Sequence, residues 1–350
     1  MPVQAANAPI WPTTEASGAS GVAPAFRNLL TQDVLDWLLG GDPAISFQVR
    51  RDLLCGAGAE AIRQRIAGEG WGAAFLAARR PDGHWGRGFY QPKWTSTHYT
   101  LLDLAMLGLP GANRPARESV DMVLDAPRGS AGGINFARSL DISDVCINGM
   151  ILSYGSHFRP EDARLDEIVE YLLRRRQPDG GWNCDYWRGS SVSSLHTTLR
   201  VLEGLLAYRR TGRGHDAGRM ELAIASGVEF MLEHHLFRSR RTGAVIDPRF
   251  LRLTYPPRWR FDILGALDFL QQAAWPADPR IGEALLVIQR KRRRDGRWAA
   301  AAPHPGAVHF HMEKAGEPSR WNTLRSLRVL AFCRSEPAVA PLRVAGVETP

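Results

Sequence analysis

The heptapeptide Gln177-Pro-Asp-Gly-Gly-Trp-Asn183 closes a charged stretch, Asp162 to Gln177 (DARLDEIVEYLLRRRQ), whose apolar residues recur at helical spacing. Its Asp-Gly pair supplies a tight turn in which glycine takes a positive φ without steric cost. The tryptophan that follows is expected to fold back and pack between layers. Variants of the string stand at Pro81-Asp-Gly-His-Trp-Gly86 and Asp295-Gly-Arg-Trp298, each again after an amphipathic stretch. Gly129-Ser-Ala-Gly-Gly133 and Thr242-Gly243 hold equivalent places with less of the pattern. A turn recurring after the same kind of segment announces a repeat.

Working outward from these turns, two kinds of helix alternate. The first kind is charged on one side and ends in basic residues: Asp162–Gln177, Arg219–His235 and Arg280–Arg294, with weaker members at Phe26–Leu39, Gly70–Arg80 and Ala116–Asp125. Arginine there complements the helix dipole and needs no ligand to explain it. The second kind opens on Trp, Ser or Thr and then runs mostly apolar: Ser46–Cys55, Thr95–Leu107, Ser143–Ser156, Ser193–Arg209, Trp259–Ala273 and Arg320–Phe332. Helices apolar nearly all round belong inside. Six inner helices alternating with six outer ones predict a closed, all-α ring, because each pair buries its face only against its neighbours. The expected organisation is a flexible tail over 1–24, one domain over 25–335 and a second tail over 336–350.

Composition agrees with a packed domain. Of 350 residues, 44% are hydrophobic, enough for a large core, and no apolar run is long enough for a membrane span. Peripheral membrane contact is left open. The net charge is +8, yet only Lys93, Lys291 and Lys314 among the 44 basic residues are lysines. Nucleic-acid binding would gather the arginines on one face, whereas they recur at the ends of successive outer helices. Four scattered cysteines with no CxxC pair predict no disulfide framework. With no basic leader or apolar run before Phe26, the expected location is cytoplasmic. No Gly-rich phosphate loop, GxSxG elbow or HExxH pair is present.

The strings QPDGGWN and RPDGHWG resemble the glutamine–tryptophan repeats of the squalene cyclase and protein prenyltransferase β-subunit superfamily, and the likeness extends over about 26–335. It implies that superfamily's (α/α)6 toroid of six inner and six outer helices. Fold does not settle chemistry. Squalene cyclases carry a second, inserted helical domain and a membrane-docking patch, and neither is evident here. Protein prenyl transfer needs a helical-repeat partner chain.

In such a ring the starts of the inner helices gather at one mouth, and there the unusual polar residues lie. They are Trp94-Thr-Ser-Thr-His98-Tyr99, Asp141-Ile-Ser-Asp144-Val-Cys146-Ile-Asn148, Ser194-Leu-His196-Thr-Thr198, Arg258-Trp-Arg-Phe-Asp262 and Ser319-Arg-Trp-Asn322. An apolar cavity with a few converging polar groups is the default active-site expectation. Ser143, Ser193 and Ser319 also fit helix caps. Trp94, Tyr99, Asn148, Trp259 and Trp321 are the expected cavity lining, where aromatic faces suit an isoprenoid and its cationic intermediates.

Two chemistries compete. Asp144, Cys146 and His196 resemble the Asp-x-Cys and His zinc ligands of the prenyltransferase β-subunits. Zinc accepts carboxylate, thiolate and imidazole, and three protein ligands leave one position for water or substrate. Cys184 or Asp185 is a further candidate ligand. This predicts zinc-assisted catalysis on a small, largely apolar substrate of isoprenoid kind, with His98, Asp262 and Asn322 orienting it or moving protons. The alternative is a metal-independent terpene cyclase. Asp141-Ile-Ser-Asp144 resembles the Asp-x-Asp-Asp acid motif of squalene–hopene cyclases, with Ser143 in the proton donor's place, so Asp144 would have to serve as the acid. A non-catalytic ligand-binding or scaffold toroid is the third reading. Between the last outer and inner helices, His304–Glu313 forms a long connection, expected as a lid or a second metal site through His309, His311 and Glu313.

Overall fold

The computed structural model describes residues 21–137 and 140–335. Six helices stand inside: α2 (Pro43–Leu53), α5 (Thr97–Leu107), α7 (Val145–Phe158), α9 (Leu195–Arg209), α11 (Ile263–Gln272) and α13 (Arg320–Ser335). Six precede them on the outside: α1 (Gln32–Leu39), α4 (Gly70–Ala77), α6 (Arg114–Leu124), α8 (Arg164–Arg174), α10 (Ala217–Glu233) and α12 (Gly282–Arg290). One short extra helix, α3 (Ala59–Arg65), follows α2 and was not expected. From α5 to α13 each inner helix packs against the next, α13 returns to α2, and Gln48 of α2 donates to the Met106 carbonyl of α5 at 2.9 Å, so the ring closes.

Local chemistry sets the helix ends. Asp42 caps α2 through Ala44 N–H ahead of Pro43, Asn113 caps α6 through Ala116 N–H, and α5 stops at Gly108 with φ 84°. Helices α7 and α9 meet backbone to backbone at Gly149 and Gly204. A Cβ on Gly204 would lie 2.3 Å from the Gly149 carbonyl oxygen, so only glycine permits this approach.

The repeated turn is a fastening with the same bonds each time. Trp85, Trp182 and Trp298 are fully buried. Their indole N–H groups donate to the carbonyls of Phe75, Leu172 and Ile288, each ten residues back on the outer helix, at 2.6, 2.8 and 2.8 Å. Their backbone N–H groups donate to the hydroxyls of Thr97, Thr198 and Thr323 on the following inner helix, at 3.1, 3.0 and 3.1 Å. Gly83, Gly180 and Gly296 supply the positive φ. In the degenerate copy Ile134 replaces the tryptophan and Asn148 the threonine: Asn148 accepts from Ile134 N–H at 2.8 Å and donates to its carbonyl at 3.0 Å.

The inner helices, expected to be mostly apolar, also carry charges that meet in the interior of the ring. Arg328 reaches Asp52, Gln48 and Asp268, and Arg325 joins Asp268, all nearly buried. Arg258 pairs with Asp103 in the same interior, and Arg200 with Glu203 at 2.7 Å. These charges pair because an isolated buried ion is prohibitively costly.

Only two short strands occur among the described residues. Trp298–Ala299 (β1) pairs antiparallel with Pro318–Ser319 (β2), making the long connection a hairpin excursion. Ala23 is already packed, donating to Leu53 carbonyl at 2.9 Å, and Phe26 is buried, so ordered packing begins ahead of the expected boundary. The rest of the N-terminal tail and the tail 336–350 lie outside the described residues. No helix among the described residues is long and apolar enough to cross a membrane.

Candidate active site

The starts of α5, α7, α9, α11 and α13 come together at one end of the ring, and aromatic side chains line it. Tyr90 lies 5.8 Å from Tyr99, 5.9 Å from His98 and 6.2 Å from Phe136, ring centre to ring centre. Trp94 meets Tyr99 edge-on at 4.9 Å. Lys93, in the 3-10 turn before α5, holds its ammonium 5.2 Å from both Trp94 and Trp259 and 5.5 Å from Tyr90. An ammonium within about 6 Å of several ring centres marks a position where positive charge is welcome. Arg260 stacks at 4.6 Å on Trp259, its Nε buried without a partner.

Asp144 stands at the N-cap of α7, but its carboxylate makes no capping bond. It is open to solvent at the mouth, yet surrounded closely enough that desolvation raises its pKa. Lys93 opposes that shift and Asp185 adds to it. Its companions in the Asp141–Asp144 string are structural. Ser143 donates to the Gly133 carbonyl at 2.9 Å, and Asp141 accepts from Ser130 N–H at 2.8 Å.

Of the expected zinc donors, Asp144 and Cys146 share the start of α7, while His196 is turned elsewhere. Cys146 faces Cys184, whose sulfur accepts from Cys146 N–H at 3.3 Å. His196 is turned toward α11: its Nδ1 accepts from Phe261 N–H at 2.8 Å, and its ring lies edge-on to Trp259 and Phe250 at 5.1 and 5.2 Å. Among the described residues no group of three His, Cys, Asp or Glu side chains is disposed to hold a metal, His309, His311 and Glu313 included. As arranged, Asp144, Cys146 and His196 do not fit a tetrahedral site.

The other expected residues are placed as follows. His98 is buried, shares a 3.2 Å hydrogen bond with Tyr154 hydroxyl, and is held neutral, its pKa pushed down to about 3 by burial and by Lys93. Asp262 caps α11 through Gly265 N–H at 2.7 Å, its pKa raised by desolvation. Asn322 donates to the carbonyls of Leu253 and Ala299 at 2.7 and 3.0 Å, and Asn148 is spent on Ile134. Trp321 is buried and stacks on Tyr255 at 4.7 Å. Thus Trp94, Tyr99 and Trp259 belong to the aromatic mouth, whereas Asp262, Asn322 and Asn148 have polar groups committed to backbone. Sequence reasoning missed Lys93 and Tyr90. The rarity of lysine in an arginine-rich chain was the available signal for Lys93. It also missed Asp103, a lone charge in the apolar run of α5, whose pKa burial pushes up to about 6 against the pull of Arg258.

A roof covers the mouth. Trp94 Nε1–H donates to the Pro305 carbonyl at 2.7 Å, His309 meets Thr100 hydroxyl at 3.0 Å, and Glu313 accepts from Trp321 N–H at 3.2 Å. Beneath it, the cleft lined by Phe75, Tyr255, Arg258, Val308 and Phe310 has a volume of about 30 Å³. That admits a water or two, against roughly 300–1,000 Å³ in an ordinary ligand pocket. The roomy cavity expected from sequence is closed at this cleft in this arrangement.

No family model matches the chain. It is similar to the drimenyl diphosphate synthase of Streptomyces showdoensis, with 27% identity over 155 residues, which is 43% of this chain and 28% of that enzyme. The chain thus spans little more than a quarter of that relative's length. Among solved structures it resembles a polysaccharide lyase (12% identity, 87% of this chain and 97% of the other, TM-score 0.49). It also resembles the type II terpene cyclase MstE from Scytonema (16% identity, 77% and 96%, TM-score 0.28). The ring itself rests on the chain's own contacts. The thrice-repeated tryptophan turn and the closed double ring give the chain an α/α-toroid fold, and 155 of its residues are similar to a part of the Streptomyces enzyme.

Proposed function

We propose that the chain is an enzyme of terpene cyclase type acting on an isoprenoid by protonating a carbon–carbon double bond. The observation that carries this is Asp144: a carboxyl with raised pKa and no capping bond, facing a mouth walled by Tyr90, Trp94, Tyr99 and Trp259. The Asp144 O–H gives its proton to one alkene carbon, leaving positive charge on the other. A second double bond attacks that carbon to close a ring, and a later proton loss balances the first. The aromatic faces that surround the Lys93 ammonium stabilise charge of the same sign. Lys93 and Arg260 would hold an anionic end such as a diphosphate, the group in the product that names the Streptomyces relative. Entry requires the roof over 300–317 to lift.

The test is turnover of polyprenyl diphosphates by the purified chain, followed by product analysis. Asp144→Asn is expected to lower turnover at least ~100-fold, the usual span of general acid catalysis, with thermal stability retained. Turnover by wild type should fall as pH rises through the raised Asp144 pKa, because only the protonated acid can donate. Unchanged turnover in Asp144→Asn would remove this residue from the role. Stoichiometric zinc in protein purified without added metal, lost on His196→Ala, would instead favour the zinc-assisted reading.

A further inference from the structure

Cys146 and Cys184 are 38 residues apart in sequence and meet at the mouth. The first lies in the opening turn of α7. The second opens the 3-10 turn Cys184–Arg188, in the connection leading to α9. Cys184 Sγ accepts from Cys146 N–H at 3.3 Å and from Thr197 hydroxyl at 3.5 Å. Each thiol shifts the other's pKa, Cys184 pushing Cys146 up and Cys146 pulling Cys184 down, as expected of neighbouring sulfurs. Both are free and half-buried, so a small reagent can reach them. Neither the fold nor the proposed proton transfer uses this contact.

We infer that Cys146 and Cys184 form a dithiol site that a small disulfide oxidant of the glutathione class converts to an intramolecular disulfide. The thiolate of one cysteine attacks the oxidant's sulfur–sulfur bond, forming a mixed disulfide and releasing one small thiol. The second cysteine, as thiolate, attacks the protein sulfur of that mixed disulfide, forming the Cys146–Cys184 bond and releasing the second small thiol. Two electrons leave the protein and reduce the oxidant, and the two cysteine protons end on the two released thiols. The bond fastens the Cys184–Arg188 turn to the helix start that carries Asp144. The bond-forming step needs the sulfurs to approach within bonding distance, and the 3.3 Å contact of Cys146 N–H with Cys184 Sγ already holds the two residues side by side.

The experiment treats the full-length protein with oxidised glutathione, blocks remaining thiols by alkylation, and maps peptides by mass spectrometry. The expected product joins the peptides of Cys146 and Cys184, with two hydrogens lost and two of the four thiols consumed, while Cys55 and Cys333 are alkylated. Dithiothreitol should restore both thiols. In Cys184→Ser the linked peptide disappears, and Cys146 retains a mixed disulfide with glutathione or stays alkylatable. Full alkylation of both cysteines in wild type, or glutathione adducts on each without a linked peptide, would overturn the inference. The result is independent of whether the chain turns over an isoprenoid.

Discussion

Arg328 of α13 donates to Asp52 of α2 at 2.8 Å, joining the last inner helix to the first across 276 residues of chain. Both side chains are nearly buried, and Arg328 also reaches Asp268 of α11. Removing Arg328 leaves Asp52 to Arg51 alone and Asp268 to Arg325 alone, so two charge-assisted hydrogen bonds are lost but neither carboxylate is stranded. Arg328→Ala is therefore expected to destabilise the ring by about 1.5–3 kcal/mol in urea unfolding. A loss below about 1 kcal/mol would mean the ring closes without this pair.

The tryptophan fastening makes a second, graded prediction. Trp182→Ala empties a buried site between α8 and α9 and is expected to cost about 3–5 kcal/mol. Thr198→Val keeps the shape but strands the Trp182 N–H, at about 1–3 kcal/mol. Denaturant midpoints of the two variants against wild type measure both. Equal losses would mean that the hydrogen bond, not the ring's volume, dominates.

Acid should weaken the fold between about pH 6.5 and 4. Burial pushes His98 down to about 3, and His157, His196 and His304 down to about 4. A group with depressed folded pKa lends stability above its unfolded value near 6.5, lost as pH falls toward the folded one. Asp103, raised to about 6, acts in the opposite sense, its contribution being largest below pH 4 and lost as pH rises through 6. The histidines outnumber it, so the urea midpoint is expected to fall from pH 7 to pH 5. In His98→Gln that fall should be shallower; an unchanged slope would show that His98 takes up its proton in the fold as readily as in the unfolded chain.

The roof is pinned by Trp94. Trp94→Phe deletes the N–H that holds the Pro305 carbonyl while leaving an aromatic ring in place. A hydrogen bond is worth about 1 kcal/mol net, so amide exchange over residues 303–313 should quicken about fivefold with global stability little changed. Exchange unchanged in that segment would show the roof to be held elsewhere.

The repeat was legible because each turn uses glycine at positive φ and a buried tryptophan, both visible as letters. The threonines that complete the fastening were not, because Thr97, Thr198 and Thr323 follow their tryptophans at unequal distances and look like ordinary helix starts. The convergence of inner-helix starts was also readable. The direction of each side chain there was not. His196 and Cys146 sit in neighbouring inner helices as the spacing suggested, but one turns to Phe261 N–H and the other to Cys184. Asp262, Asn148 and Asn322 were singled out for being polar in apolar surroundings. Their hydrogen bonds show why they are polar: helix ends and turns bury backbone groups that need partners.

From outer-helix carbonyl to tryptophan the interval is ten residues in all three fastenings, whereas from tryptophan to threonine it is 12, 16 and 25. Extra chain is thus tolerated in only one of the two connections, the one that runs over the mouth, and the longest carries the roof. The scaffold channels insertions to the rim while its outer wall keeps a fixed length. Exchanging rim segments between a tryptophan and its threonine is the route by which one ring could be refitted for a different guest.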